Sequence, residues 1–186
     1  MYTTRNYAHA LFKKTFTRET FLADAAAAGA DKVLVGSRFF PERAMYWTRM
    51  FRADAEKKGI QLAGIICDSE LVTEEADVLE AAKADLLEWI RIAALSRIAA
   101  LRVRIDGDGT VDEAYVDSLA EALLSVVASA ERYGTQLVFS AGTADIGEGL
   151  LLRLAKKLGY AACRIASGGS RTNAADSVWF AEPDGE

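Results

Sequence analysis

The chain has 186 residues, of which 51% are hydrophobic and 26% are charged, and its formal net charge at pH 7 is −5. This length and apolar content suit one domain over residues 1–186, and the acidic balance disfavours a general nucleic-acid-binding protein. The apolar runs are too short to cross a membrane and no leader of the signal-peptide type is present, so we expect a cytoplasmic protein with neither nucleic acid nor membrane as partner.

The predicted elements alternate between helix and strand along the chain. The first helix begins at the hydroxyl N-cap Thr17 and ends at Gly29, while Pro41 and Gly59 suit the first turn and the end of the second helix. The strands are short and apolar, as in a sheet covered on both faces. Further helices are predicted over 73–96, 111–134 and 146–159, and strands over 31–36, 60–68, 99–107, 135–139 and 160–169, with 177–183 as a candidate for one more.

The order helix, glycine, strand recurs about every 30 residues, which is typical of βα units around a parallel sheet. A doubly wound nucleotide-binding sheet is disfavoured, because no GxGxxG turn follows an early strand. A complete (β/α)₈ barrel needs ~250 residues, whereas this chain holds about six units. The predicted fold class is therefore α/β, a parallel βα-repeat that forms an incomplete or shortened TIM barrel.

Five segments, in the right order and at the right spacing, resemble the xylose isomerase-like sugar phosphate isomerase/epimerase family. They match successive helix–strand pairs, from that family's first helix and second strand to its fifth helix and sixth strand. The third segment includes the run Trp-Ile-Arg-Ile-Ala-Ala. The resemblance implies a TIM-barrel fold and spans roughly residues 15–168. The segments are 16–35, 50–65, 85–107, 118–142 and 148–168.

The resemblance also implies a metal centre, which this sequence lacks. Members of the family commonly bind Mn²⁺, Mg²⁺, Co²⁺ or Zn²⁺ at the carboxyl ends of the strands, where the metal polarises a sugar carbonyl and carboxylates move a proton. The family's ligand-bearing motifs fall on residues 139–142, here Phe-Ser-Ala-Gly, and on 165–167, here Ile-Ala-Ser. Leu34 stands where the family often has Glu, and His9 is the only histidine. A phenyl ring is no ligand for a hard cation, so we predict no metal site and no cofactor.

Carboxylates nevertheless follow the predicted strands. The loops after parallel strands meet on one face, where Asp106, Asp145 and Glu148 are the candidate catalytic residues. An enzyme that used them would be a sugar or sugar phosphate isomerase or epimerase with a divalent metal. The alternative is that these residues are turn formers and helix N-caps. The whole set consists of Asp68, Glu70, Asp106, Asp108, Asp145 and Glu148.

A loop of glycine and hydroxyl residues, 167–172, is a candidate phosphate site. Its glycines permit close approach of the backbone, and its arginine offers a fork-shaped cation. The expected ligand is a small phosphorylated sugar, and the alternative is a flexible loop. The candidate ligand-binding residues are Ser167, Gly168, Gly169, Ser170 and Arg171.

Three functions stay open at this point. The preferred hypothesis is a degenerate isomerase/epimerase-like barrel without metal-dependent isomerisation, which retains binding of a sugar or phosphate and whose former substrate cavity is filled by Phe139, Arg104 or Trp179. The second is an active isomerase or epimerase that uses displaced carboxylates. The third is a homo-oligomeric scaffold, because six strands do not close a barrel and leave edges that a second copy can bury.

Overall fold

Six strands and five helices are present in the part of the chain that the structure, a computed structural model, describes: residues 2–3, 17–40, 45–107, 111–141, 146–159 and 163–165. No helix in these ranges is long and apolar enough to cross a bilayer. The strands are β1 (Tyr2–Thr3), β2 (Lys32–Gly36), β3 (Gln61–Val72), β4 (Ala100–Gly107), β5 (Gln136–Ala141) and β6 (Cys163–Ile165). The helices are α1 (Arg18–Ala27), α2 (Met45–Glu56), α3 (Ala76–Leu95), α4 (Glu113–Tyr133) and α5 (Glu148–Leu158), and a 3₁₀ turn (Ser37–Phe39) follows β2.

All six strands are parallel and follow one another across the sheet in the order β1-β2-β3-β4-β5-β6. Because parallel crossovers keep one hand, this consecutive order places the helices on one side of the sheet. It is the winding of a TIM barrel and not of a doubly wound sheet, so the predicted α/β βα-repeat is confirmed. Within the described residues β1 and β6 are the edge strands, and the sheet is an open arc of a barrel.

Strand β3 departs most from the predicted boundaries, because it runs to Val72 instead of ending at residue 68. Its second half contains Asp68 and Glu70, whose charges favoured a loop in the sequence. Both residues instead pair with β4, Asp68 with Arg104 and Glu70 with Asp106. The candidate strand over 177–183 lies outside the described residues.

One pattern, alanine followed four residues later by glycine, ends α1, α2 and α4 and leads the chain into the next strand. The glycines are Gly29, Gly59 and Gly134, with φ of 72°, 72° and 66°, a backbone region in which a side chain is disfavoured. Helix α3 ends in the same way but has Arg97 at this position, with φ 55°. In each turn an N–H donates to the alanine carbonyl: Ala30 to Ala25 (2.9 Å), Ile60 to Ala55 (3.0 Å), Ile98 to Ala93 (2.8 Å) and Thr135 to Ala130 (2.9 Å).

The two faces of the sheet differ in chemistry. Side chains alternate between faces along a strand, so neighbouring residues of β4 and β5 point to opposite sides. Val103 and its neighbour Phe139 on β5 belong to the main core, which contains the buried residues of the helices. Leu34, Ala63 and Ile66 form a separate buried cluster. We call the face that carries Ile66 the inner face.

The outer layer of helices is joined by ion pairs between α4 and α5. Arg153 donates from Nε and Nη2 to the two carboxylate oxygens of Asp117, at 2.7 and 2.8 Å, and from Nη1 to Glu113 at 2.8 Å. Lys157 Nζ lies 3.0 Å from Asp117 Oδ2. These hydrogen bonds, first that of Arg153 and then that of Lys157, hold the pKa of Asp117 well below its ordinary value.

Candidate functional site

Charged and hydroxyl side chains occupy the inner face towards the carboxyl ends of β3, β4 and β5. The strand register aligns Asp68, Arg104 and Ser140 in one row and Glu70 with Asp106 in the next. Residues two apart on a strand share a face, so both rows lie on the same side of the sheet. We call these five residues the charged layer.

The carboxylate of Asp68 is held by two arginines. Arg104 Nη1 donates to Asp68 Oδ1 at 3.0 Å, and Arg38, from the 3₁₀ turn after β2, donates from Nη2 to Asp68 Oδ2. Arg104 Nη2 also lies 3.8 Å from Asp106 Oδ1. The side chains of Asp68 and Asp106 are only 19% and 18% exposed, whereas that of Arg38 is 58% exposed. The carboxylates are therefore partly shielded from water, and Arg38 presents the rest of its guanidinium to the solvent.

Arg102 lies one row below the charged layer, beside Ile66 and Val138. It is 8% exposed, and its Nε donates to the hydroxyl of the buried Ser140 at 3.1 Å. A buried guanidinium is costly unless it is hydrogen-bonded, so this bond matters for the packing of the face. Arg102 also gives the base of the layer a fixed positive charge.

The long β3 is held at its carboxyl end by two contacts. The hydroxyl of Tyr115, on α4, donates to the carbonyl of Leu71 at 2.9 Å and accepts from the N–H of Thr73 at 2.9 Å. Gly107, at the end of β4, pairs with Val72 and has φ 143°. A Cβ at Gly107 would overlap the carbonyl oxygen of Val72, so only glycine allows the strands to approach so closely. These contacts keep Asp68 and Glu70 in register with β4.

The predicted site residues have different outcomes. Of the three candidate catalytic residues, Asp106 lies in the charged layer. Asp145 is outside the described residues, and Glu148 is the first residue of α5 but its side chain is outside the described part. Asp68 and Glu70 converge with Asp106 as expected. Also outside the described residues are Asp108, Ser167, Gly168, Gly169, Ser170 and Arg171.

Two arginines of the site were not predicted as ligand-binding residues. Arg38 and Arg102 become part of it through the tertiary structure, and Arg104 was expected only to fill a cavity. The sequence did contain a signal, because Arg102, Arg104 and Asp106 alternate with apolar residues in β4. A period of two is typical of a strand with one polar face.

The hypothesis that Phe139 fills a former substrate cavity is wrong. Phe139 is 1% exposed and belongs to the core on the helix side of the sheet, together with its neighbour Val103. The residue that ends β5 on the inner face is Ser140, which contacts Arg102. Since Phe139 points away from the charged layer, it does not stand in the place of an inward-pointing ligand. Trp179 lies outside the described residues.

A divalent metal does not fit the donors that the structure describes. No group of three or more His, Cys, Asp or Glu side chains in the described ranges could hold an ion. Both oxygens of Asp68 already accept from guanidinium groups, and Asp106 lies beside one of these. A hard cation takes oxygen ligands, and those of Asp68 are already engaged by the two arginines.

Comparison with solved structures identifies the fold, whereas neither family models nor curated proteins match the chain. A xylose isomerase domain protein from Planctomyces limnophilus has 16% identity and a TM-score of 0.65, covering 77% of this chain and 56% of that chain. A sugar phosphate isomerase/epimerase from Parabacteroides distasonis has 8% identity and a TM-score of 0.63, covering 88% and 63%. A probable 3-DHS dehydratase from Bacillus anthracis has 10% identity and a TM-score of 0.69, covering 88% and 60%.

This chain has the fold of the xylose isomerase-like TIM barrels. It spans less than two thirds of the length of each of these three proteins, which agrees with the predicted shortened barrel. The resemblance that five sequence segments predicted is thereby confirmed for the fold. The three proteins differ in their described activities, so the fold alone does not assign one to this chain.

Proposed function

We propose that this chain is a degenerate isomerase/epimerase-like barrel that binds a small sugar or sugar phosphate at the charged layer and does not perform metal-dependent isomerisation. The observation that carries the proposal is the position of Asp68 between Arg38 and Arg104. In this arrangement arginines occupy the oxygens that a metal or a mobile proton would need. The ligand class follows from the chemistry of the layer and from the fold.

The layer suits a ligand with hydroxyl and anionic groups. A guanidinium has five N–H donors in a fixed fork, and Arg38 uses only one of its nitrogens for Asp68 among the described residues. Its exposed edge can donate to a phosphate or to a pair of hydroxyls. Glu70, which is exposed in the next row, offers acceptors for sugar hydroxyls. The loop 167–171 is proposed to contribute to phosphate binding.

A second function, an active isomerase or epimerase, is favoured by one observation. Glu70 and Asp106 lie side by side on neighbouring strands. Two carboxylates in this relation can remove a proton from one carbon of a sugar and return it to the next. In that case Mn²⁺, Mg²⁺, Co²⁺ or Zn²⁺ would be required, with Asp145 and Glu148 as the remaining candidate residues.

Thermal unfolding of metal-stripped protein separates these functions. Fructose 6-phosphate and glucose 6-phosphate are titrated with and without each of the four metals. We expect a saturable rise in Tm with a sugar phosphate alone, because a ligand at 100 times its Kd adds about 2.7 kcal/mol, or several degrees. Arg38→Gln should decrease the rise, whereas Arg91→Gln, which removes an exposed arginine of α3, should leave it unchanged.

Other outcomes contradict the proposal. A saturable rise with a metal alone that is lost in Asp106→Asn, together with interconversion of the two sugar phosphates followed by NMR, would establish the isomerase instead. The absence of any rise with either sugar phosphate would show that the layer binds neither.

Homo-oligomerisation is a separate prediction. In the described ranges the edge strands are the shortest of the sheet, two residues in β1 and three in β6. An open sheet leaves edges that a second copy can bury, which supports this prediction. Sedimentation velocity over a hundredfold range of concentration is the test. A mass that stays at 20.1 kDa would contradict the prediction.

A further inference from the structure

A cleft of about 370 Å³ lies at the end of the sheet opposite the charged layer. It is lined by the start of β3, by the end of α2 and by Arg97, which follows α3. Its polar lining residues are Arg52, Glu56, Gln61 and Arg97, and the lining is completed by Gly59, Ile60 and Leu62. The cleft therefore has two cationic groups and one carboxylate.

The backbone of Arg97 is unusual for its position. It has φ 55° in a turn where α1, α2 and α4 have Gly29, Gly59 and Gly134. A side chain is disfavoured in this conformation, and glycine is the residue that usually relieves the cost. Because the three corresponding turns have glycine, the turn itself gives no reason for an arginine.

The side chain of Arg97 has no hydrogen bond or ion pair with the described part of the chain. Arg52, in contrast, is fixed: its Nη1 donates to the carbonyl of Ser96 at 2.8 Å, and its Nε donates to Glu56 at 2.7 Å. Because Ser96 precedes Arg97 in the chain, this bond holds the guanidinium of Arg52 close to Arg97. The single carboxylate of the cleft is thus already neutralised, and the charge of Arg97 is left uncompensated within the described residues.

We propose that this cleft binds an anionic group, a phosphate monoester or a carboxylate, with Arg97 as the principal cation and Arg52 as the second. Guanidinium groups bind both kinds of anion through paired N–H donors. The exposed carboxamide of Gln61 is a further donor at the rim. The site is independent of the charged layer, since it lies at the amino end of β3 and uses none of the same residues.

The test compares inorganic phosphate and succinate as probes in thermal unfolding, with sodium chloride added to keep the ionic strength constant. The wild-type protein should show a saturable rise in Tm of several degrees with at least one probe. A rise with phosphate alone indicates a phosphate ester as the natural ligand, and a rise with succinate alone indicates a carboxylate. A rise with neither probe overturns the proposal.

Arg97→Gly should change stability and anion binding in opposite directions. Without ligand its Tm should exceed that of the wild type, because glycine relieves the backbone conformation, whereas the saturable rise should be lost. Arg97→Lys should keep most of the rise, and both Arg91→Gln and Arg38→Gln should keep all of it. A rise that persists in Arg97→Gly, or one that disappears in Arg38→Gln, would overturn the proposal, and the latter would assign the anion to the charged layer.

Discussion

The two faces of β4 differ: one packs into the apolar core and the other carries charged side chains. Leu101, Val103 and Ile105 are fully buried in the main core. The alternate residues Arg102, Arg104 and Asp106 are on the inner face, where they form ion pairs and hydrogen bonds. The difference teaches that apolar packing and charged contacts are divided in β4 by the parity of the residue number. Substitutions at adjacent positions should therefore have different effects.

The largest expected effect is the loss of Phe139. Phe139→Ala removes a ring that is 1% exposed in the core, and we expect a decrease of about 3–5 kcal/mol in the free energy of unfolding. The adjacent Ser140→Ala removes the partner of Arg102 Nε and should cost about 1 kcal/mol. Urea denaturation of both variants measures the difference. Equal losses would contradict the assignment of these residues to opposite faces.

The junction of β3 and β4 should give the next largest effect. Gly107→Ala places a Cβ against Val72 at φ 143°, so we expect a loss of about 1–3 kcal/mol. Gly149→Ala is the matched control, because Gly149 lies in α5 with no atom within 4 Å of the added Cβ. The control should raise the free energy of unfolding by about 0.5–1 kcal/mol. A neutral Gly107→Ala would show that the strands do not approach as described.

Within the charged layer, Asp68 should contribute more to the free energy of unfolding than Glu70. Asp68→Asn weakens the bonds to Arg38 and Arg104, and we expect a loss of about 1–2 kcal/mol, reduced from the value for a buried pair because Arg38 is largely exposed. Glu70→Gln, at an exposed position, should change the stability by less than about 0.5 kcal/mol. Denaturation at low and high salt tests this, since the cost of Asp68→Asn should decrease with salt. A larger loss of stability in Glu70→Gln than in Asp68→Asn would contradict the central position of Asp68.

The smallest expected effect is the pH dependence of the α4–α5 ion pairs. Arg153 and then Lys157 lower the pKa of Asp117 from its ordinary value of 3.8. A carboxylate whose pKa is lowered by folding stabilises the protein above its unfolded pKa, and this stabilisation is lost as the pH falls through the folded pKa. The Tm of the wild type should therefore fall as the pH decreases below about 3.8, and that of Asp117→Asn should fall less.

Exposed Glu121, on the same helix, is the control for this measurement. Glu121→Gln should follow the wild-type curve between pH 5 and pH 2. If Asp117→Asn also followed it, the ion pairs would not contribute to stability in solution.

Much of the fold could be predicted from the sequence because it depends on local signals. Helix α1 begins after the N-cap Thr17, and Gly29, Gly59 and Gly134 end helices as expected. The parallel sheet followed from the repeated order of elements. The end of β3 was placed too early, because Asp68 and Glu70 are charged and a charge is a poor local signal for a strand.

The candidate site was less predictable, since it depends on which strands are adjacent and in which register. Asp106, Asp68 and Glu70 were expected to converge because they follow parallel strands. The orientation of Phe139 was not recognised, since a motif match fixes a position along the chain but not the face to which its side chain points.

The sequence by itself determined most of the helices and strands of this protein and the alternation of polar and apolar residues in β4, because both arise from the period of a helix or a strand. Only the tertiary structure decided which of the two faces the helices cover and which receives the arginines. The physical reason is that the helices must bury the apolar face, so Val103 and Phe139 turn towards them and Arg104 is left on the other side. The pairing of Arg38 with Asp68 joins residues 30 positions apart, and no local pattern encodes such a contact.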